Sequence, residues 1–256
     1  MKIVIIGHSH TNAIHQAYFA GKKDYFSNLE VEFINAKNST HKLAFASPQD
    51  EGFHTQKETL KSILSESNAV VASFFGNAHN AFGLANFPNP FEFIFGPFDD
   101  YNSNKSAKTI PRSIVKTLLN EATLPINYYI QSLLSMTPVN VPVFHLETPP
   151  PIKSEAHIRE FAGAYSKRIE LCGVSPPQLR KKLYRLHGEP VEGYCKDQPI
   201  EYIPAPSAAF TKNGYLKAKY LPNDAAHGNA EYGKLVLEDI LSNLQEIILD
   251  YKAILL

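Results

Sequence analysis

The stretch Ile3-Val4-Ile5-Ile6-Gly7-His8-Ser9-His10 decides the fold of this chain. Four consecutive apolar residues predict a strand that is covered on both faces, because a strand with one solvent face alternates apolar and polar residues. After Gly7 the chain runs directly into a helical pattern. Ser9 is therefore expected at the carboxyl edge of a parallel sheet, where ligands bind in folds of this kind.

Strand and helix patterns alternate along the rest of the chain. Further buried strands are predicted at residues 31–34, 69–75, 141–146 and 200–203. Helical patterns are found at residues 11–21, 55–67, 113–122, 127–136, 154–171, 177–187 and 230–251. This alternation predicts an α/β protein with a parallel sheet and helices on both faces.

Composition excludes several classes of function. The chain has 256 residues, of which 44% are hydrophobic and 20% charged, so global disorder is excluded. Lys+Arg and Asp+Glu both number 25, which gives no electrostatic reason to expect a nucleic acid or a membrane surface as partner. No apolar run is long enough for a membrane span or a signal peptide. We therefore expect a cytoplasmic protein with reduced cysteines. The sequence does not define its oligomeric state.

One segment, at about 80–111, interrupts the alternation and shows no clear period. It contains the phenylalanines Phe82, Phe87, Phe91, Phe93, Phe95 and Phe98. Such long irregular segments are usually functional or disordered, and six phenylalanines argue against disorder. We predict a single domain over residues 1–256 with a packed lid or subdomain inserted at about 80–111. A purely structural core is the alternative for these phenylalanines.

Three motifs place polar side chains where predicted strands end or where the last helix begins. Ser9 precedes a helix, whose first N–H groups favour negative charge nearby. Asn77, after the third strand, carries an amide that can donate to an oxyanion. Asp224 and His227 have a spacing that lets the carboxylate orient the imidazole. The structural alternatives are a helix N-cap for the serine, a tight turn for Gly76-Asn77 and a capped surface turn for the aspartate.

Together these motifs resemble the SGNH, or GDSL-type, hydrolase superfamily, and the resemblance covers essentially the whole chain. The matching residues are Ile3-Val4-Ile5-Ile6-Gly7-His8-Ser9, Gly76-Asn77, Asp224 and His227, then Asn229, Tyr232 and Gly233. The exit of the fourth strand, Leu146-Glu147-Thr148-Pro149-Pro150-Pro151, is similar to the proline-rich exit of that family.

The resemblance implies a serine hydrolase mechanism. Ser9 would be the nucleophile, with His227 as its base and Asp224 orienting the imidazole. Asn77 and the Ser9 backbone N–H would stabilise the oxyanion. No metal ion and no organic cofactor are implied. We therefore predict a three-layer α/β/α sandwich of the flavodoxin-like type, with five parallel strands in the order 2-1-3-4-5.

The chain departs from the family pattern in three places. His8 stands where the family has an acidic residue. The second strand is followed by Asn35-Ala36-Lys37-Asn38-Ser39 and the next glycine is Gly52, so the second backbone oxyanion donor stays unassigned. Phe75 precedes Gly76 where many relatives have another glycine, and we expect it to narrow the pocket.

Other histidines and polar residues carry weaker predictions. His8, Gly76, His79 and Asn80 are predicted to contact substrate, and a plain turn role is the alternative for the last two. His10, His15 and His41 are expected to be ordinary polar or helix-capping residues.

A metal site is the rival interpretation of the same residues. His8-x-His10 after a first strand resembles the metal-binding pair of amidohydrolase-type barrels. Further ligands would come from His15, His79, His227 and Asp224. Such a barrel needs eight strands, and the sequence provides five.

The predicted function is hydrolysis of an acyl ester, and an acetyl group on a carbohydrate is the preferred substrate. Two alternatives stay open at this point. One is a catalytically silent module of the same fold that binds a glycan or a protein, and the other is an acyltransferase with the same triad.

Overall fold

A computed structural model describes residues 1–22, 26–36, 45, 53–96 and 107–254 of the protein. In chain order its strands are β1 (Lys2–Gly7), β2 (Glu30–Asn35), β3 (Ala69–Ser73), β4 (Phe91–Glu92), β5 (Lys108–Thr109), β6 (Val143–Leu146) and β7 (Glu201–Ile203). Its helices are α1 (Thr11–Gly21), α2 (Phe53–Ser65), α3 (Ala78–Gly83), α4 (Arg112–Met136), α5 (Glu155–Glu160), α6 (Ser166–Cys172), α7 (Pro177–Lys196) and α8 (Ala230–Ile254).

The main sheet has five parallel strands in the order β2-β1-β3-β6-β7. The predicted order was 2-1-3-4-5. The observed order differs in its numbers because two unpredicted short strands, β4 and β5, lie between β3 and β6 in the chain and pair with each other in a separate sheet. The runs predicted as the fourth and fifth strands contain β6 and β7. β3 ends at Ser73 rather than at residue 75, since the chain leaves the sheet before Gly76.

The sheet separates two hydrophobic layers, and β1 contributes to both. Ile3 and Ile5 pack with residues of α1 and α8 on one face. Val4 and Ile6 pack with residues of α2, α4 and α7 on the other face. All four side chains are completely buried. The unbroken apolar run of β1 is therefore explained by helices on both faces, and the predicted α/β sandwich is confirmed.

Helix α4 corrects a sequence prediction. Pro125 suggested two helices, because proline lacks the N–H that an interior helical position donates. The structure has one helix of 25 residues that continues through Pro125. Leu119, Ile126 and Ile130 are buried on both sides of the proline. Packing of this continuous apolar face outweighs the lost hydrogen bond.

The Phe-rich insertion is docked on the main body of the protein. Its short strands β4 and β5 pair in parallel. Phe93 is fully buried in a cluster with residues of α4 and α7, and Phe82, Phe91 and Phe95 pack against that cluster. Phe98 lies outside the described residues. A lid or subdomain role for the insertion remains a prediction.

The backbones of helices α1 and α8 are in direct contact. A Cβ atom added at Gly233 would lie 2.1 Å from the carbonyl oxygen of Ala13, much closer than atoms can approach. Only glycine at this position allows α8 to approach α1 so closely. This contact joins the helix that follows Ser9 to the helix that follows His227.

Within the residues that the structure describes, no helix has both the length and the apolar character to cross a membrane.

Candidate active site

Three side chains form a hydrogen-bonded relay at the carboxyl edge of the sheet. Ser9 Oγ lies 2.8 Å from His227 Nε2, and His227 Nδ1 lies 3.1 Å from Asp224 Oδ1. With the imidazole neutral, Nδ1–H donates to the carboxylate and the serine hydroxyl donates to Nε2. Ser9 and His227 are 218 residues apart in the chain. The fold therefore brings together the three residues that the sequence singled out as a triad.

The serine side chain does not cap the helix that follows it. Helix α1 begins at Thr11, and its N-cap residue is His10, which makes no side-chain capping bond. The Thr11 hydroxyl instead donates to the His8 carbonyl at 2.8 Å. Ser9 is exposed, and its hydroxyl is directed to the imidazole. The N-cap alternative for Ser9 is therefore not what the structure has.

The Asp224 carboxylate is held by three donors on one oxygen. Oδ1 accepts from the backbone N–H of Ala226 at 2.8 Å and of His227 at 2.9 Å, besides the His227 ring. Partial burial raises the pKa of Asp224, but the bonds from His227 and Ala226 outweigh it and lower the pKa to about 2. The carboxylate is thus ionised at neutral pH. The turn and the relay use the same oxygen.

Two side chains that the sequence did not single out for this role steady the loop before α8. His157 Nε2 lies 3.0 Å from the Asp224 backbone carbonyl. Asn229 donates from Nδ2 to the carbonyls of Lys219 and Leu221, and its Oδ1 accepts from the N–H of Tyr232. The separation of 67 residues between His157 and Asp224 left no local signal for the first contact.

Asn77 lies where α3 begins, and its amide is oriented by two neighbours. Gly76 has φ of +80°, which the tight turn out of β3 requires. Asn77 is the N-cap residue of α3 but makes no side-chain capping bond. Its Oδ1 accepts from Asn80 Nδ2 at 2.5 Å, and its Nδ2 donates to the Tyr165 hydroxyl at 3.1 Å. The amide has a second N–H that these two bonds do not use.

His10 connects the Gly76 turn to the relay. Its ring centroid lies 4.7 Å from that of His227. Burial and the neighbouring His227 lower the pKa of His10 to about 3, and a bond to the Gly76 backbone only partly opposes this shift. His10 is therefore a neutral ring packed beside the His227 imidazole. The sequence suggested an ordinary polar residue at this position. It could not show the contact between the two rings, because tertiary structure sets that contact.

The four residues predicted to contact substrate differ in their exposure to solvent. His8 is half-buried, and its ring lies edge-on to Phe74 and Tyr129. Gly76 is half-buried in the turn. His79 and Asn80 are buried, at 2% and 5% exposure. Asn80 supports Asn77 as described above.

His79 belongs to a buried histidine pair behind the site. Its Nδ1 lies 3.0 Å from Nδ1 of His187 on α7. The pair links the first turn of α3 to α7. Substrate contact by His79 and Asn80 stays a prediction, and their present contacts are with protein groups.

A cavity of about 520 Å³ opens beside the serine. Its lining holds four side-chain amides and one carboxylate, from Asn12, Gln16, Asn223, Asn229 and Asp224, together with Ser9 and His227. This cavity is suited to a ligand with many hydroxyl groups.

The second backbone oxyanion donor remains unassigned. Ala36 N–H, which follows β2, donates to the Gly7 carbonyl at 2.9 Å and is therefore occupied. Lys37, Asn38, Ser39 and Gly52 lie outside the described residues, as does His41.

The rival metal interpretation requires an eight-stranded barrel, and the main sheet is open and five-stranded. The histidines it needs face different partners: His15 lies against Phe19 and Phe33, and His79 against His187. Among the described residues, no group of three or more His, Cys, Asp or Glu side chains is arranged to hold a metal ion.

Neither a protein-family model nor a curated protein matches the sequence. Solved structures do resemble the fold. An extracellular lipase from Streptomyces rimosus matches 94% of this chain and 99% of its own, with a TM-score of 0.51 and 12% identity. A Streptococcus pneumoniae protein named for platelet activating factor matches 94% of this chain and 83% of its own, with a TM-score of 0.51 and 13% identity. A GDSL-like lipase from Bacteroides thetaiotaomicron has a TM-score of 0.43 and 14% identity, over 96% of this chain and 88% of its own.

The protein has the SGNH hydrolase fold. At 12–13% identity the likeness to the first two of these structures concerns the fold. The activity has to be argued from the residues of the site itself.

Proposed function

We propose that this protein hydrolyses carboxylic esters with Ser9 as nucleophile, His227 as general base and acid, and Asp224 as the group that orients the imidazole. The observation that carries the proposal is the relay from Ser9 Oγ to His227 Nε2, at 2.8 Å, and from His227 Nδ1 to Asp224 Oδ1, at 3.1 Å. Distances of this size allow proton transfer between the groups.

The reaction proceeds by two displacements. Ser9 Oγ attacks the ester carbonyl carbon as its proton passes to His227 Nε2. The tetrahedral intermediate then expels the alcohol, which takes the proton from His227, and an acyl group remains on Ser9. Water attacks the acyl group while His227 takes its proton, and the acid leaves as the proton returns to Ser9.

Asn77 is proposed as an oxyanion donor through the second N–H of its amide. Asn80 holds the amide oxygen, so Nδ2 stays on the opposite side. A donor that is oriented before the substrate arrives pays no reorganisation when charge develops on the carbonyl oxygen.

The alcohol part of the substrate is proposed to be a carbohydrate or a similar polyhydroxyl group. The cavity beside Ser9 and His227 has Asn12, Gln16 and Asn223 in its lining. These side chains offer both donors and acceptors to hydroxyl groups. The cavity lies on the His227 side, where the leaving alcohol has to receive its proton.

The test is a panel of p-nitrophenyl and acetylated sugar esters, assayed on wild type, Ser9→Ala and Ser135→Ala. Ser135 is an exposed serine on α4 and serves as the matched control. We expect turnover by wild type and Ser135→Ala, and none by Ser9→Ala. A fluorophosphonate should add mass to Ser9 alone.

Two results would replace the proposal. Absence of turnover and of phosphonate labelling in folded wild type would favour a silent binding module. Transfer of the acyl group to an added alcohol in preference to water would favour an acyltransferase.

A further inference from the structure

An apolar groove of about 420 Å³ lies in the insertion, outside the relay and the polar cavity. We call it the insertion groove. Its lining residues are Phe82, Phe87, Pro88, Asn89, Phe91, Ile110, Val115 and Leu118. Asn89 is the single polar residue among them. The volume falls in the range of small-molecule pockets, and the lining offers no charge to a ligand.

The solvent-facing side of α3 leads from Asn77 to this groove. Ala78, Ala81 and Phe82 share one face of the helix, because residues three and four apart lie above one another. Ala81 is exposed, while Ala78 and Phe82 are half-buried. The five steps from Asn77 to Phe82 span about 7.5 Å along the helix axis. A short apolar path therefore connects the proposed oxyanion donor with the groove.

Side chains from α6 and the preceding turn border this path. Tyr165 accepts a hydrogen bond from Asn77. Arg168 donates to the carbonyl of Ala81 at 2.7 Å, and its guanidinium lies 4.9 Å from the ring centroid of Phe87. Helix α4 contributes Val115 and Leu118 to the groove. Asn77, the N-cap residue, and Phe82, which lines the groove, thus lie at opposite ends of the same short helix.

We propose that the insertion groove binds the apolar acyl chain of the ester substrate. The inference rests on the proposed function. The carbonyl oxygen would lie at Asn77, the alcohol in the polar cavity on the His227 side, and the chain along Ala78 and Ala81 into the groove. Bonds of about 1.5 Å in an extended zigzag advance the chain by about 1.25 Å each, so an acyl chain of about six carbons covers about 6.3 Å of the about 7.5 Å and comes within contact distance of Phe82. The preferred acyl group is therefore longer than the acetyl group that the sequence favoured.

The test compares p-nitrophenyl acetate, butyrate and hexanoate on wild type, Leu118→Glu and Leu124→Glu. Each methylene that leaves water is worth up to about fourfold in kcat/KM. Because the groove is open to solvent, we expect the hexanoate-to-acetate ratio of kcat/KM to be about tenfold or more in wild type. Leu118→Glu puts a charge in the groove and should lower that ratio about tenfold.

Leu124→Glu is the matched control. Both leucines lie on α4 and are exposed, at 44% and 62%, but Leu124 does not line the groove. The control should keep the wild-type ratio. A wild-type ratio near one, or a ratio in Leu118→Glu equal to that of the control, would overturn the proposal.

A binding arm separates this inference from the proposed function. N-methylhexanamide and N-methylacetamide are unreactive analogues, and their binding to wild type and both variants is followed by saturation-transfer NMR. Hexanamide binding that Leu118→Glu abolishes, without ester turnover, supports the groove and overturns the proposed function. Ester turnover with equal binding of both amides overturns the groove alone. A Leu118→Glu effect on dimerisation, with an unchanged chain-length ratio, assigns the groove to a second copy of the chain instead.

Discussion

At the scale of single residues, one carboxylate oxygen carries two tasks. Asp224 Oδ1 accepts from two backbone N–H groups and from the His227 ring. The backbone bonds fix the carboxylate in the loop, and the fixed carboxylate then holds the imidazole. Since the pKa of Asp224 is lowered to about 2, its charge is constant over the pH range in which an ester hydrolase is assayed.

We expect Asp224→Asn to lower kcat by at least about 100-fold. An amide that donates to Nδ1 stabilises the wrong imidazole tautomer, and such changes cost up to about 10⁴-fold in a triad. The measurement is kcat on active-site-titrated protein. The double variant with His227→Ala should be little worse than His227→Ala alone, because the two residues act as one unit. Additive losses would contradict the shared role.

Asn77→Ala is expected to lower kcat and kcat/KM together by about 10²–10³-fold, the usual cost of removing one oxyanion donor. Asn77→Asp should be at least as harmful, because it sets a negative charge against the developing one. A turn role alone predicts a lower melting temperature with full kcat in the folded fraction. Melting temperature and titrated kcat on the same preparations decide between the two outcomes.

At the scale of elements, the site depends on how closely α8 approaches α1. Ser9 precedes α1 and His227 precedes α8, so the 2.8 Å bond between them is set by the packing of these two helices. At Gly233 the two helices lie so close that an added Cβ would clash with the Ala13 carbonyl.

Gly233→Ala should therefore impair both activity and stability. The added methyl forces α8 away from the α1 backbone, at a cost of about 1–3 kcal/mol in the free energy of unfolding. A displacement of about 1 Å between reacting groups can cost 10²-fold in rate. Gly193→Ala on α7 is the control, because nothing lies within 4 Å of its added Cβ. Equal activity in the two variants would show that the α1–α8 distance does not set the relay.

The sequence predicts the elements whose signals are local. The apolar run of β1 and the Asp224-x-x-His227 spacing are complete within a few residues, so both could be interpreted without tertiary information. The contacts of Asn77 with Tyr165 and of Asp224 with His157 join residues 88 and 67 positions apart. No short pattern encodes them. Pro125 led to the opposite kind of error. Its local signal predicted the end of a helix, and tertiary packing overrode that signal.

At the scale of the whole molecule, four buried histidines couple stability to pH. Burial lowers the pKa of His10, His145 and His187 to about 3, with His227 adding to the shift of His10. Burial and His187 lower the pKa of His79 well below its usual value. These imidazoles are neutral in the folded protein at pH values where they are protonated in the unfolded chain.

We predict that the free energy of unfolding falls as the pH is lowered from about 6.5 toward 3. In this window the unfolded state binds more protons, so stability rises with pH by up to about 1.4 kcal/mol per pH unit for each histidine. Four of them act on a typical total of about 5–15 kcal/mol. Urea unfolding at pH 7.5, 6 and 5 measures the slope.

His145→Phe isolates one contribution to this slope. His145 is fully buried beside Phe75 and Tyr202, and neither ring nitrogen has a hydrogen-bond partner among the described residues. The variant should lose up to about 1.4 kcal/mol per pH unit of the dependence, and its advantage over wild type should grow as the pH falls. An unchanged slope would mean that His145 is protonated in the folded state.

The docking of α8 on α1 also sets the order in which the protein loses its properties. An opening that releases α8 separates the serine hydroxyl from the imidazole, while the ladder hydrogen bonds of the five strands remain. Once released, α8 unfolds, because it loses the packing that stabilises it. In mild denaturant, turnover should therefore vanish with the first, small loss of far-ultraviolet circular dichroism, before most of that signal is lost. Amide hydrogen exchange in α8 then reports the free energy of that partial opening. This free energy separates the active molecule from one that keeps its sheet but has lost its activity.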